Sequence, residues 1–274
     1  MVLGLDIDAR QAAYPGLHLF DLKDGILYGP IPSRRLGLSL GINFLPYGNK
    51  TCSWDCLYCQ CGWTGKEGSP AAADPARFPT VAELSAAFEE GFPALAKAGQ
   101  SPDTLTLSGN GEPTLHPRFG EAVDALIRSR DRHLPKAKIS ILSNAERAAE
   151  PEVRAALMRL DARCMKLDAG DAATTERLDR PLTPFDLDRH VAALAALRPV
   201  LIQSFFVAGA LDNTGPGLVA PWLDCLGKIA PEEVHLYSLD RVPPAKGLQA
   251  VPKAVLEGIA GRVRARGIPA RVFA

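Results

Sequence analysis

The sequence has no second cysteine pair and no two histidines at the three-to-five-residue spacing of a zinc finger. A closed structural zinc site commonly draws its four ligands from two such pairs, so that class finds little support. Neither sign of charge is in excess: 31 basic residues stand against 31 acidic ones. No global field therefore favours nucleic acid. No stretch approaches the ~20 apolar residues of a membrane-crossing helix. The opening Met1-Val2-Leu3-Gly4-Leu5-Asp6 lacks the basic start and long apolar run of a secretory signal. Six cysteines in 274 residues do not make a disulfide framework, and half of them lie in one cluster. That fits a reducing, cytoplasmic setting. The five histidines are scattered, and none pairs at metal-ligand spacing.

What is present is a chain that alternates. Its length suits one large domain or two small ones and suffices for a substantial core. Residues 1–36 read as a hairpin and an extended arm, with Leu17–Leu22 and Ile26–Tyr28 flanking the turn residues Lys23-Asp24-Gly25. Arg34 and Arg35 follow two prolines. They are either a solvated pair, or one of them reaches a carboxylate or phosphate near the site, which the guanidinium fork suits. From residue 37 to 274 strand-like and helix-like runs take turns. Strands are expected at 38–45, 103–107, 138–142, 163–167, 200–207 and 234–239, with a short terminal one at 269–273. Helices are expected at 80–98, 116–130, 151–160, 185–197, 217–228 and 252–266. Thr80 and Glu83 form a capping box, while Gly91 and Pro93 should kink or shorten the first helix. Such alternation predicts an α/β fold with a parallel sheet and crossover helices. Six units are too few for the closed eight-unit barrel. The Gly-, Ala- and Pro-rich stretch 62–79 is either a lid or a connector.

The chemistry gathers in Thr51-Cys52-Ser53-Trp54-Asp55-Cys56-Leu57-Tyr58-Cys59. Three thiols in a C-x3-C-x2-C spacing point to a metal rather than to packing, for which one cysteine usually serves alone. Cubane iron–sulfur clusters are held by cysteine thiolates, usually four. Three would leave one iron open to a substrate. Cys61 is either a fourth thiolate that closes the cluster or a free thiol beside it; the three-cysteine pattern favours the second. Sites in βα folds form where strands end. The second strand is followed by Ser108-Gly109-Asn110-Gly111-Glu112-Pro113, the third by Ser143-Asn144. The fourth carries Lys166 and Asp168, and the fifth carries Gln203. Asn213, Tyr237 and Arg241 lie beyond later strand ends. Cys164 and Cys225 read as core residues.

The cysteine spacing, with Tyr58 before the last cysteine, resembles the radical S-adenosylmethionine (SAM) superfamily. Together with Tyr28–Gly37 and Ser108–Pro113 it resembles the branch that includes the tRNA wyosine-base synthases and many uncharacterised proteins. The resemblance implies a partial (β/α)6 TIM-like barrel. It implies a [4Fe-4S] cluster on Cys52, Cys56 and Cys59, and SAM as cofactor. Tyr58 would lie near the adenine or cover the cluster. Gly109, Asn110, Gly111 and Glu112 would receive the methionine ammonium. Ser143 and Asn144 would bind SAM's carboxylate or ribose, or cap a helix. Lys166, Asp168 and Gln203 are the candidate catalytic residues, with pairing inside the barrel as their alternative role. The implied activity is reductive cleavage of SAM to a 5′-deoxyadenosyl radical that abstracts hydrogen from a substrate. That substrate could be a small molecule, a peptide or RNA. A separate flavodoxin or ferredoxin would donate the electron. Two alternatives stay open: tRNA-base modification of the wyosine type, which the missing extra cysteines disfavour, and a non-catalytic metal-binding or interaction protein on the same fold.

Overall fold

The computed structural model describes residues 22–273. Eight strands form one sheet in the order β1-β2-β3-β4-β5-β6-β8-β10. They are β1 (Leu27–Ser33), β2 (Gly37–Ile42), β3 (Thr104–Leu107), β4 (Lys138–Ser143), β5 (Ala162–Lys166), β6 (Leu201–Phe205), β8 (Glu233–Tyr237) and β10 (Ala270–Phe273). All neighbours pair in parallel except β1, which runs antiparallel to β2 at one edge. The short strands β7 (Val207–Gly209) and β9 (Leu248–Ala250) pair separately. The helices are α1 (Val81–Lys97), α2 (Phe119–His133), α3 (Pro151–Leu157), α4 (Ala172–Leu178), α5 (Leu187–Ala195), α6 (Pro216–Ile229) and α7 (Lys253–Arg264). The expected six βα units are present and curl into an open half-barrel, with β10 added beyond the sixth. Among the described residues no helix is long and apolar enough to cross a membrane.

Alternation along the strands sets the two faces. Leu40, Ile42, Leu105, Ile139, Ile202 and Val234 are buried in the main core with residues of the helices. Each such side chain contributes roughly 1.5–3 kcal/mol when fully buried. The opposite, concave face is polar. Ser39 and Thr106 share a 2.7 Å hydrogen bond there, and Gln203 Nε2 donates to the Cys164 carbonyl at 3.2 Å. Closed eight-unit barrels fill this face with branched apolar side chains. Here it presents hydrogen-bonding groups instead, which is what a ligand needs.

The helix expected from residue 80 is capped as the sequence implies. Thr80 Oγ1 accepts from the Glu83 N–H and Glu83 accepts from the Thr80 N–H. It continues through Gly91 and Pro93 to Lys97, so neither residue shortens it. The second helix starts later than expected, at Phe119, because residues 113–115 form a 3-10 turn. The Arg118 N–H then binds His116 Nδ1, and His116 Nε2 bonds the Pro79 carbonyl at 2.8 Å. Helix α4 was not expected from the sequence; Asp171 caps it by accepting from the Thr174 N–H at 2.7 Å.

The expected N-terminal hairpin falls largely outside the described residues. The strand expected at 17–22 lies outside the described residues except for its last position. Ile26–Tyr28 leads into β1, which pairs with β2 across a turn at Arg34-Arg35-Leu36. β1 shares the sheet of the core. Cross-strand pairing wins because Gly41 admits the Tyr28 ring: a Cβ there would lie 2.1 Å from it.

Candidate functional site

The three cysteines sit on the loop that leaves β2 at the carboxyl rim of the sheet. Backbone bonds brace this loop on two sides. On one side the Thr51 N–H donates to the Asn110 carbonyl at 2.7 Å, and the Glu112 N–H donates to the Thr51 carbonyl at 3.0 Å. On the other side Asp55 and Leu57 donate to the carbonyls of Asp179 and Leu178 at 3.1 and 2.9 Å. Gly111 makes the first brace possible. Its φ is +142°, and a Cβ would lie 1.8 Å from the Thr51 carbonyl oxygen. Gly111→Ala should therefore destabilise the chain by more than about 1 kcal/mol, since alanine is poorly tolerated at positive φ and has no room there. A thermal melt that matched wild type would show the brace to be dispensable.

The stretch 62–79 is strapped onto the same loop. Lys50 Nζ donates to the Gly62 carbonyl at 3.1 Å, the Thr64 N–H to Asp55 Oδ1 at 2.6 Å and the Cys52 N–H to the Gly68 carbonyl at 3.1 Å. Gly68 carries no side chain because a Cβ would lie 1.9 Å from the Lys50 carbonyl oxygen. The connector reading of this segment therefore gives way to a cover on the cysteine loop.

No cysteine is in a disulfide. Among the described residues no three His, Cys, Asp or Glu side chains converge as the ligands of a single ion would. The donors around the sulfurs nevertheless suit thiolates. The Trp54 N–H lies 3.4 Å from Cys52 Sγ, and Asn144 Nδ2 lies 3.9 Å from it; Lys166 Nζ lies 3.2 Å from Cys56 Sγ. Such outer hydrogen bonds tune iron–sulfur ligands. Two buried ammonium groups flank the loop, Lys50 at 3% exposure and Lys166 at 9%. Burial alone would pull both down, but the acidic groups facing them, when ionised, outweigh it: Cys59, Cys52, Cys56 and Asp55 around Lys50, and Cys56, Asp179 and Asp168 around Lys166. Both stay charged. Three soft thiolates, sulfur-directed donors and two compensating cations fit an iron–sulfur cluster better than a neutral packing cluster.

Without such a group, burial pushes the Cys52 thiol up to about 12 and Cys56 well above its usual value. Cys59 is held well below its usual value, first by a hydrogen bond from Cys61; the same bond holds Cys61 high. Cys61 Sγ also donates to the Gly109 carbonyl at 3.4 Å. It thus lies between the cysteine loop and the glycine run.

Other expected residues are placed as follows. Tyr58 stacks on Phe205, rings 3.6 Å apart and 4° from parallel, and its hydroxyl donates to Asp168. Lys166 Nζ donates to the Tyr58 hydroxyl and lies 3.4 Å from both Asp168 and Asp179. Burial, then the charge of Asp179, pushes the Asp168 carboxyl from 3.8 up to about 8. A carboxyl raised on folding supports stability fully below its unfolded value and loses that support as pH rises through the folded value. Stability should therefore fall between about pH 4 and pH 8, by up to about 1.4 kcal/mol per unit. Asp168→Asn should flatten that slope; denaturant titrations across the range would test it, and an unchanged slope would place the proton elsewhere.

Glu112 is 2% exposed. Its Oε1 accepts from the Thr114 N–H, Thr114 Oγ1 and Ser143 Oγ, and its Oε2 from the Asn144 N–H at 2.7 Å. The Asn110 side chain turns away from the cysteines. It accepts from the Lys23 N–H at 2.7 Å and donates to the carbonyls of Lys23 and Pro46. Asn144 Nδ2 donates to Ser53 Oγ at 2.9 Å, and Asn144 Oδ1 accepts from the Glu146 N–H, so one residue joins β4 to the cysteine loop and also makes the local cap-like turn. Asn213, beyond a strand end, ties the end of β6: it accepts from the Val207 N–H and donates to the carbonyls of Asp168 and Phe205. Arg241 is exposed. Gln203 meets Arg35 and Tyr237 on the concave face. Sequence reasoning missed Lys50, Asp55, Asp179 and Phe205. Lys50 was findable, standing two residues before Cys52; nothing local marks Asp179.

No protein-family model matches the chain. A protein of Helicobacter pylori (strain J99) named as a UPF0026 protein is 31% identical over 222 residues, covering 79% of this chain and 67% of that protein. A UPF0026 protein of Synechocystis is 30% identical over 227 residues, covering 80% of this chain and 77% of the relative. The chain belongs to the UPF0026 family. A third member, from Methanocaldococcus jannaschii, is 30% identical over 225 residues, 81% of this chain and 65% of its own length. The chain thus spans about two thirds of the Helicobacter and Methanocaldococcus relatives.

Among solved structures, a radical SAM methyltransferase from Sphaerobacter thermophilus superposes with a TM-score of 0.62 at 19% identity, over 86% of this chain and 65% of that one. Streptococcus suis SuiB bound to S-adenosylmethionine superposes at 0.57 and 11%, over 85% and 50%. TYW1 with a lysine–pyruvate adduct bound superposes at 0.55 and 14%, over 83% and 73%. This member of the UPF0026 family therefore has the radical SAM fold.

Proposed function

We propose that the chain is a radical SAM enzyme, with Cys52, Cys56 and Cys59 holding a [4Fe-4S] cluster and the Gly109–Glu112 run receiving the methionine part of SAM. One observation carries the reading: the three-thiol loop is braced by that run on one side and flanked by two buried ammonium groups. When bound, such a cluster supplies one electron that cleaves SAM into methionine and a 5′-deoxyadenosyl radical, which takes a hydrogen atom from the substrate. Lys50 and Lys166 balance the thiolate charge. Trp54, Asn144 and Lys166 aim donors at the sulfurs. Glu112 accepts three bonds on Oε1 and one on Oε2, so Oε2 is the less engaged oxygen and the one an ammonium would meet. Tyr58 and Phe205 shield the interior from water, and Asp168 holds a proton near neutral pH. The electron would come from a separate flavodoxin or ferredoxin.

A lysine adduct of the kind in the TYW1 structure would need a neutral amine. Lys166, held charged beside Asp179 and the Asp168 carboxyl, is poorly suited to form one without rearrangement.

The test is anaerobic reconstitution with iron and sulfide, reduction by dithionite, addition of SAM and chromatography for 5′-deoxyadenosine. The expected result is cluster loading and deoxyadenosine above a protein-free control. Zinc or no metal after reconstitution, with no SAM binding, would favour the non-catalytic class.

A further inference from the structure

We propose that Arg35 is a substrate-anchoring residue: a small organic molecule bearing a carboxylate or phosphate binds on the concave face against Arg35, Gln203 and Tyr237. This rests on the reading above and names the substrate class of that site. The two neighbouring arginines of the β1–β2 turn are treated differently. Arg34 is exposed and bonds Asp240 at 2.6 Å. Arg35 is half-buried and turns onto the concave face, where its guanidinium lies 4.9 Å from the Tyr237 ring centre and donates to Gln203 Oε1 at 3.1 Å. Among the described residues no carboxylate lies within ion-pair distance of it. Two other cations of this face are paired: Lys166 with Asp168 and Asp179, Arg271 with Glu233.

A guanidinium held by a ring and an amide, but given no counter-charge, is a preorganised fork for an oxyanion. A second group on the same face, His235, is bonded to Glu233 through Nε2 at 2.7 Å but has one nitrogen to spare. His235 is the register partner of Gln203, so both side chains leave the sheet on one side. It is 1% exposed, and its Nδ1 has no hydrogen-bond partner. One guanidinium without a counter-charge suits a small anion rather than a polynucleotide, which is bound through several phosphates at once.

The test uses the full chain in two forms, reconstituted with iron and sulfide and cluster-free. Malonate and inorganic phosphate are titrated separately against chloride at constant ionic strength, and Tm and the Arg35 Nε–Hε NMR signal are followed. The expected result is a saturable shift with one of the two anions, which decides between carboxylate and phosphate. R35A should bind that anion at least tenfold more weakly, R35K should fall between, and R34A should match wild type. Should R35A fail to fold, the Arg35 signal of the wild type decides. No saturable shift beyond chloride, an unchanged response in R35A, or a response to tRNA alone would overturn the proposal. The cluster-free arm reads the anion site even if no deoxyadenosine is ever formed, so the two readings fail separately.

Discussion

Lys166→Ala should cost about 3–5 kcal/mol of unfolding free energy near neutral pH, the range for breaking one partner out of a buried ion pair. Lys166 is the cation nearest two buried carboxylates, Asp168 and Asp179, at 3.4 Å from each. Asp179 Oδ2 already has no hydrogen-bond partner, so the loss leaves that carboxylate exposed to the full cost of burial. The pH dependence separates this account from a simple cavity. Lys166 is raised above its usual value, so its own support is present below that value and fades only at strongly alkaline pH. Asp168 titrates at about 8 in the wild type. Without the lysine it should titrate higher, so the loss relative to wild type should be largest at pH 9, where the wild-type carboxylate is ionised beside the ammonium, and smaller at pH 7 and 5. Denaturant midpoints at pH 5, 7 and 9 would show this. A loss below about 1 kcal/mol, typical of solvated pairs, would mean that water replaces the ammonium.

Alanine at Cys52, Cys56 or Cys59 should abolish cluster loading and deoxyadenosine formation together, whereas Cys61→Ala should keep both. A cubane held by three thiolates cannot spare one, and the open iron is the position that SAM requires under this reading. Cys61 lies close enough to matter, hydrogen-bonded to Cys59 and to the Gly109 carbonyl. Iron and sulfide analysis, visible absorption and electron paramagnetic resonance read the cluster; chromatography reads the reaction. If Cys61→Ala lost iron while the protein stayed folded, the cluster would be closed by four thiolates and the open-iron proposal would fail. If it kept iron and gained SAM binding, Cys61 would be competing for the open position.

Much of this molecule was legible without coordinates. The βα alternation, the capping box at Thr80 and Glu83 and the three thiols at a strand end are all local patterns. Periodicity and loop spacing act over a few residues, so the sequence displays them directly. The polar residues at strand ends were also legible as a set, because parallel strands place their carboxyl ends together. Their individual duties were not. Asn110 looks like a ligand residue in its motif, yet its amide is used to hold Lys23 and Pro46. Asn213 looks like a loop residue facing a substrate, yet it fastens β6.

By itself the sequence determined the fold class, the order of the units and the place where thiols meet the glycine run. Only the tertiary structure decided which charges share a dielectric environment. Tyr58 and Asp168 are 110 residues apart, and Arg35 and Gln203 are 168 apart. Curling the sheet brings each pair within hydrogen-bond reach. Lys50 and Lys166 become buried partners of thiols, and Arg35 has no acid beside it among the described residues, because these outcomes depend on distance and desolvation in space. Neither quantity is encoded in any short window of the chain.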